Sequence, residues 1–305
     1  MRPLRHRSLR ATTANPTDHT MNLRTRVPSW QGDAVISEVS VVLPVLNERD
    51  NLRFLIPDLT SMLRLIADRF EVIVIDDSSD DGTSELMRDL SCSEPALRYI
   101  SRKGRARSLP DSIRVGIEAA GFEMVAWMDA DGSMRATDLR VLLSATADVD
   151  MTDTVVVGSR FVPGGGFKGV VEVGNTPLRQ VVKNIRESND SLLAVALSAV
   201  LHYYLWISMR RCCRDLASGF IVMNRARARE VGIAGNYGDY CPRLIFLAHL
   251  TGLKVLEVPY VIQLRMHGTS KTGANVKQLI QRGLPYVLTP WTTRREFKNL
   301  SRGER

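Results

Sequence analysis

From residue 39 to residue 131 the chain repeats one pattern, an apolar run without polar alternation, a polar loop, then apolar residues at helical spacing, and nothing else in it restricts the fold as much. Residues 39–45 are a β-branched run broken only by Pro44, and the loop Leu46-Asn47-Glu48-Arg49-Asp50-Asn51 follows. Leu52, Leu55, Ile56, Leu59, Leu63 and Ile66 then keep helical spacing, with Pro57 predicting a kink or a late helix start. Residues 71–75 open a second unit, continued by Asp76-Asp77-Ser78-Ser79-Asp80-Asp81-Gly82-Thr83 and a short helix over 84–90. A third strand is expected at 98–101, with a helix over 109–120 that places Ile113, Gly116, Ile117 and Ala120 on one side. Residues 124–128 form the fourth run. Strands this uniformly apolar are buried on both faces, which requires a parallel sheet covered by helices. The expected class is therefore α/β with a doubly wound sheet, the fold beginning near Val39.

The fourth run ends in Met128-Asp129-Ala130-Asp131-Gly132-Ser133, so two carboxylates one residue apart leave a strand end, where open α/β sheets bind ligands. Carboxylates this close repel, and a divalent cation with oxygen ligands relieves the repulsion. A cation held by two side chains keeps positions that the oxygens of a diphosphate can fill. The stretch predicts a metal–diphosphate clamp, against the alternative of a solvated polar loop. Asp76 and Asp77 have two readings: acceptors for a nucleotide's base or ribose, or cap and turn residues with no ligand.

Several classes are excluded. No Gly-x-Gly-x-x-Gly follows the first strand and no Gly-x-x-x-x-Gly-Lys-Ser/Thr is present, which argues against nicotinamide or flavin cofactors and against an ATPase. The net charge of +8 lies in the ends: six arginines against Asp18 give residues 1–27 a charge of +5, and residues 294–305 carry +3. A nucleic-acid-binding domain would carry its excess on the folded body, so no nucleic-acid partner is expected. Basic ends on a neutral body suit an anionic lipid surface, or are simply solvated tails. The amino terminus lacks the apolar core of a signal peptide, so no secretion is expected. Cys92, Cys212, Cys213 and Cys241 show no paired spacing, which fits reduced thiols in the cytosol.

Residues 191–209 are the most apolar stretch, with Ser198 and His202 in the middle. They are open to three readings: a buried helix, an interfacial helix that receives a lipid acceptor, and a transmembrane span. Tyr203, Tyr204 and Trp206, followed by Arg210 and Arg211, favour the interfacial one. Residues 279–291 are a second possible membrane contact. No later segment reaches twenty apolar residues.

From about Ser40 to Thr272 the chain resembles glycosyltransferase family 2, and within it the dolichyl-phosphate or polyprenyl-phosphate mannosyltransferases. The blocks carrying the resemblance occur in the family's order: Leu43-Pro44-x-x-Asn47-Glu48; Ile75-Asp76-Asp77-Ser78-Ser79-x-Asp81-Gly82-Thr83; Met128-Asp129-Ala130-Asp131; Gly158-Ser159-Arg160-Phe161 with Gly164-Gly165-Gly166; Asp215-x-x-Ser218-Gly219-Phe220; and Glu257-Val258-Pro259 with Arg265-x-x-Gly268-x-Ser270-Lys271. The resemblance implies the GT-A fold, a mixed, mostly parallel sheet flanked by helices. It also implies an inverting, metal-dependent transfer of a hexose from a nucleotide-diphosphate sugar, GDP-mannose or a UDP-sugar, to a polyprenyl or dolichyl phosphate. Pro44, Glu48 and Asp77 match residues that hold base and ribose. Asp129 and Asp131, flanking Ala130, match the pair that holds Mg2+ or Mn2+ on the diphosphate. Arg160 matches an arginine facing the acceptor phosphate, and Arg265 and Lys271 match groups that close over the donor.

An acceptor phosphate is already anionic and needs only positioning, whereas a hydroxyl acceptor needs a carboxylate base. Asp215 is the first candidate for that base and Asp239 the second, for the alternative in which the acceptor is a glycan or small-molecule hydroxyl. A non-catalytic nucleotide-sugar binder is the other alternative.

The chain also departs from the branch. Ser133 stands where Gln is frequent. An insertion follows Gly166, in which Arg179, Lys183 and Arg186 could replace the usual basic motif. In Tyr237-Gly238-Asp239-Tyr240-Cys241-Pro242-Arg243 the branch's Glu position holds Arg243. The expected organisation is a basic flexible tail over 1–34, a catalytic domain over 35–272, and a helical extension over 273–305, peripheral on the cytosolic face of a membrane.

Overall fold

The computed structural model describes residues 36–166, 192–263 and 276–302. Among these, seven strands form one sheet: β1 (Ile36–Val45), β2 (Ala67–Asp76), β3 (Leu97–Ser101), β4 (Met124–Trp127), β5 (Thr154–Ser159), β6 (Ile221–Asn224) and β7 (Lys254–Pro259), in the order β3-β2-β1-β4-β6-β5-β7. The helices are α1 (Arg49–Ile66), α2 (Thr83–Ser93), α3 (Leu109–Ala119), α4 (Ala136–Ser144), α5 (Leu192–Ser208), α6 (Arg225–Val231), α7 (Tyr240–Leu250) and α8 (Val276–Ser301). β2, β1, β4 and β3 run parallel, and β7 is parallel to β5. β6 alone is antiparallel, to both β4 and β5. The sheet is thus mixed and mostly parallel, flanked by helices, as the resemblance implies.

The strand side chains alternate between two cores, which is why the sequence shows no polar face. Val41, Leu43, Val45, Val72, Val74 and Ala126 meet α1, α2 and α4 on one side. Val42, Ile73, Ile75, Val125 and Trp127 meet α3 and α7 on the other. Both layers are apolar, with Val41, Val42, Ile73 and Val74 fully buried.

Two expected boundaries differ. β1 starts at Ile36 rather than Val39, because Ile36 and Glu38 pair with Ala67 and Arg69 of β2. Glu38, one of the polar residues that hid this, is itself paired with Arg69 of β2. α1 begins at Arg49 and runs through Pro57, so the late start is not adopted. Leu52, Leu55, Ile56, Leu59 and Leu63 are buried along its length, and that burial outweighs one missing backbone bond. Residues 1–35 and the insertion from 167 to 191 lie outside the described residues.

Connections from β1 to β2 and β2 to β3 move outward on one side, and the chain then returns to place β4 on the other side of β1. The switch point lies between β1 and β4, at their carboxyl ends. Because β6 is antiparallel, its amino end, preceded by Asp215, meets the same edge as the carboxyl ends of β4 (Asp129), β5 (Arg160) and β7 (Tyr260). One topological rule thus gathers residues far apart in sequence.

Candidate active site

A cleft of about 200 Å³ opens at that switch point. Pro44, Glu48, Asp77, Asp129, Ala130 and Asp131 all line it. Glu48 is the N-cap residue of α1 and its carboxylate accepts from Asn51 Nδ2 at 2.6 Å, which orients it in the cleft wall. Asn47, held at a φ of 57°, bridges to the neighbouring loop by exchanging bonds with Asp80 at 2.8 and 3.0 Å. Strand ends and loops are in this way tied before any ligand arrives.

Asp77 is buried, and Ser108 N donates to its Oδ2 at 2.6 Å while Arg102 pairs with its Oδ1. Arg102, itself buried, also donates to Ser112 Oγ at 2.9 Å. Burial outweighs the Ser108 amide and the Arg102 guanidinium and leaves the Asp77 carboxyl above its ordinary value. Asp131 is buried with Oδ1 accepting Ser133 N at 3.0 Å, around a turn in which Gly132 takes a φ of 79°. Gln263 N donates to Ser133 O at 2.9 Å, so the chain leaving β7 is anchored to this turn. Arg265 and Lys271 follow, outside the described residues.

The Asp129 and Asp131 carboxylates are hard oxygen donors, the set that Mg2+ or Mn2+ takes. Among the described residues no group of three or more His, Cys, Asp or Glu side chains is placed to enclose a metal. A cation held here would complete its shell with diphosphate oxygens and water, which suits the two-carboxylate clamp.

Arg160 and Asp215 are brought together, apart from the cleft lining. Arg160 donates to Asp215 from its amide at 2.9 Å, from Nε at 2.7 Å and from Nη2 at 2.7 Å. Asp215 has no exposed surface. Burial alone would raise its carboxyl, but the Arg160 charge and hydrogen bonds hold it below the usual range. Glu257 supports the pair from β7, accepting from Ser159 Oγ at 2.7 Å, Arg214 N at 2.9 Å and Asp215 N at 3.2 Å. Asp239 is buried too, its oxygens accepting from Asn236 N at 3.0 Å and Tyr237 N at 2.7 Å.

Four lining residues had no place in the sequence reading, Arg107, Ser108, Ser112 and Asn236, and Tyr237 entered it only as part of the block that departs from the branch. Ser108 was detectable as the cap before Leu109-Pro110, its side chain accepting from Asp111 N at 3.3 Å. Nothing local in the sequence joins 236–237 to a cleft built from residues 44–131, because that contact exists only through the sheet order.

The glycosyl transferase family 2 model matches residues 40–196. The undecaprenyl-phosphate mannosyltransferase of Micrococcus luteus is 32% identical over 245 residues, 78% of this chain and 88% of that protein. The polyprenol monophosphomannose synthase of Mycolicibacterium smegmatis is 27% identical, over 78% of this chain and 82% of its own. The dolichol-phosphate mannosyltransferase of Pyrococcus furiosus is 26% identical, and the match spans only 59% of that longer protein. In fold, the chain is similar to glucosyl-3-phosphoglycerate synthase from Mycobacterium tuberculosis, solved with Mn2+, UDP and glucosyl-3-phosphoglycerate, at a TM-score of 0.56 and 17% identity over 84% of this chain and 80% of that one.

Proposed function

The chain belongs to glycosyl transferase family 2 and is a glycosyltransferase, and we propose that it transfers a hexose, with inversion and with a divalent metal, from a nucleotide-diphosphate sugar to a polyprenyl phosphate. The observation that carries this reading is the cleft at the switch point, where Asp77 and Glu48 line the same space as Asp129 and Asp131. Asp77 and Glu48 are read as holding base and ribose, with Pro44 and Ala130 as walls. Asp129 and Asp131 are read as holding Mg2+ or Mn2+ on the donor diphosphate, and Arg265 and Lys271 as closing over it. The metal, when bound, supplies Lewis-acid stabilisation of the charge that builds on the departing diphosphate.

The state of the two base candidates supports a phosphate acceptor over a hydroxyl. Asp215 is sealed in an ion pair and Asp239 spends its oxygens on backbone amides. Carboxylates engaged in this way favour orientation of an anionic acceptor over abstraction of a proton from a hydroxyl. A phosphate monoester arrives as an anion and asks only for orientation by a cation, and Arg160, with its rotamer fixed by Asp215, is suited to that. The relatives named for polyprenol, undecaprenyl and dolichol phosphate agree with this acceptor class.

Peripheral membrane attachment belongs to the same reading. Among the described residues no helix is long and apolar enough to cross a membrane. α5 is instead a surface helix: Leu205 is buried, while Leu197, Val200, Tyr203 and Ile207 face outward. α8 lies beside it, with Leu284, Leu288 and Trp291 exposed, and the two are joined by Tyr204 Oη to Val287 O at 2.9 Å and Trp291 Nε1 to Tyr204 Oη at 3.2 Å. Exposed Arg210, Arg211 and Arg295 flank this face. An apolar face with arginines at its margin fits the headgroup level of an anionic bilayer.

The test is a panel of radiolabelled GDP-mannose, UDP-glucose and UDP-N-acetylglucosamine with Mn2+ and total membrane lipid, counting label that enters organic solvent. Label from one donor, abolished by EDTA and reduced at least about 100-fold by Asp131→Asn, is the expected result. Metal-dependent consumption of a donor without lipid label would move the acceptor to a hydroxyl, and nucleotide binding without any turnover would make the protein a binder.

A further inference from the structure

The block in which this chain departs from its relatives' expected pattern, residues 237–243, forms both a wall of the donor cleft and the seat of α8. Asn236 and Tyr237 line the cleft. Asp239 clamps their amides, and Gly235 lies so close to α7 that a Cβ there would stand 2.7 Å from Tyr240 N. On the outer side, a Cβ at Gly238 would collide with the Tyr286 hydroxyl of α8, whereas the Tyr286 ring carbon Cζ would stand 3.4 Å away, at ordinary contact. α8 itself is fixed: Arg243 donates from Nε to Glu296 at 2.9 Å and from Nη1 to Gly232 O at 2.7 Å, and Thr289 and Thr293 are buried. The hydroxyl therefore occupies, on a helix anchored through Glu296, Thr289 and Thr293, the volume that a side chain at 238 would need.

We propose that Tyr286 is a positioning residue for the donor site, its hydroxyl seated against Gly238 so that α8 sets the position of the Asn236–Tyr237 wall. The inference rests on reading the cleft as a nucleotide-sugar site, and it adds to that reading a residue from the carboxyl-terminal helix. Gly238 has no positive φ to protect, so an alanine there is excluded by the Tyr286 hydroxyl and not by its backbone.

The contact can be tested by exchange of volume. Gly238→Ala inserts a methyl group against the hydroxyl, Tyr286→Phe removes the hydroxyl and keeps the ring, and the double variant fits the one into the space of the other. Binding of UDP and GDP with Mn2+ to the full chain is measured for all four proteins, together with hydrogen exchange at the 236–238 amides. Gly238→Ala is expected to weaken the bound nucleotide about 10-fold, raising donor KM more than it lowers kcat, and the double variant to return to within about threefold of wild type. Exchange at 236–238 should rise in Gly238→Ala and fall back in the double variant. Tyr286→Phe alone should show a smaller rise, which keeps the test usable should Gly238→Ala fail to fold. Wild-type nucleotide affinity in Gly238→Ala, or a loss that the double variant does not repair, overturns the proposal. If wild type binds neither nucleotide, the donor reading falls, and the exchange pattern alone then decides whether Tyr286 holds this loop.

Discussion

Asp215 and Arg160 share three hydrogen bonds where the carboxylate is closed to solvent, and the energetics of such a pair are asymmetric. Forming it gains little over an apolar pair, but removing one partner leaves the other charge buried and alone, at about 3–5 kcal/mol. Asp215→Asn keeps the shape and removes the charge, so it should lower stability by about that amount and also release the rotamer of Arg160. The pH dependence has a fixed sign. The folded Asp215 carboxyl lies below its unfolded value, so its contribution is fully present above about pH 3.9 and is lost as pH falls through the folded value. Thermal melts of wild type and Asp215→Asn from pH 8 to pH 3 should show a constant gap down to about pH 5 that closes only below about pH 4. A gap that closes near neutrality would mean that Asp215 titrates as a base in reach of solvent. The sequence identified this carboxylate as important through its motif. It could not distinguish a proton acceptor from an ion-pair anchor, because that depends on burial and on a partner fifty-five residues away in sequence.

Elements were more legible than residues. Strands β1 to β4, α1, α3 and the Asp129–Asp131 turn were readable because their signal is local: an apolar run, a period of 3.6, a carboxylate pair at a strand end. β6 was not separable, since four residues entering antiparallel carry no period of their own and are set by pairing with β4 and β5. The apolar stretch ending in α5 was ambiguous for a different reason, as its hydropathy is nearly uniform around the helix and only the packing tells which side is covered. Leu205 faces the core, Tyr204 joins α8, and Leu197, Val200, Tyr203 and Ile207 are left outward. Trp291→Ser combined with Tyr203→Ser removes two aromatic contacts, each worth about 1.5–3 kcal/mol when buried. Partition of the purified protein onto phosphatidylglycerol vesicles should drop at least about 10-fold, with the cation-dependent part lost in high salt. Sedimentation with vesicles at wild-type levels in this variant would place membrane contact elsewhere on the molecule.

At the scale of the whole molecule, α8 decides whether the chain is a catalytic domain with an appendage or one folding unit. The expected division at residue 272 treats 273–305 as an extension. Within the described residues the contacts of α8 are those of a core element: Thr289 and Thr293 are buried, Arg294 bonds Ser208 O and lies over the Phe246 ring at 5.5 Å, and Arg243 pairs with Glu296. Removing residues 276–305 would strip Phe246 and Tyr240 of cover and leave Arg243, which is 15% exposed, without its carboxylate. An orphaned, largely buried guanidinium and a bared apolar helix face together cost several kcal/mol, a large part of the stability of an ordinary domain. The truncated chain should therefore lose cooperative unfolding, seen as a broadened urea transition with a lower midpoint, and should lose nucleotide binding even though every residue lining the donor cleft is retained. A truncated chain that unfolds as sharply as wild type and binds UDP or GDP unchanged would restore the appendage view, and Glu296→Ala in the full chain, expected to weaken stability through Arg243 alone, measures how much of the effect comes from that one pair.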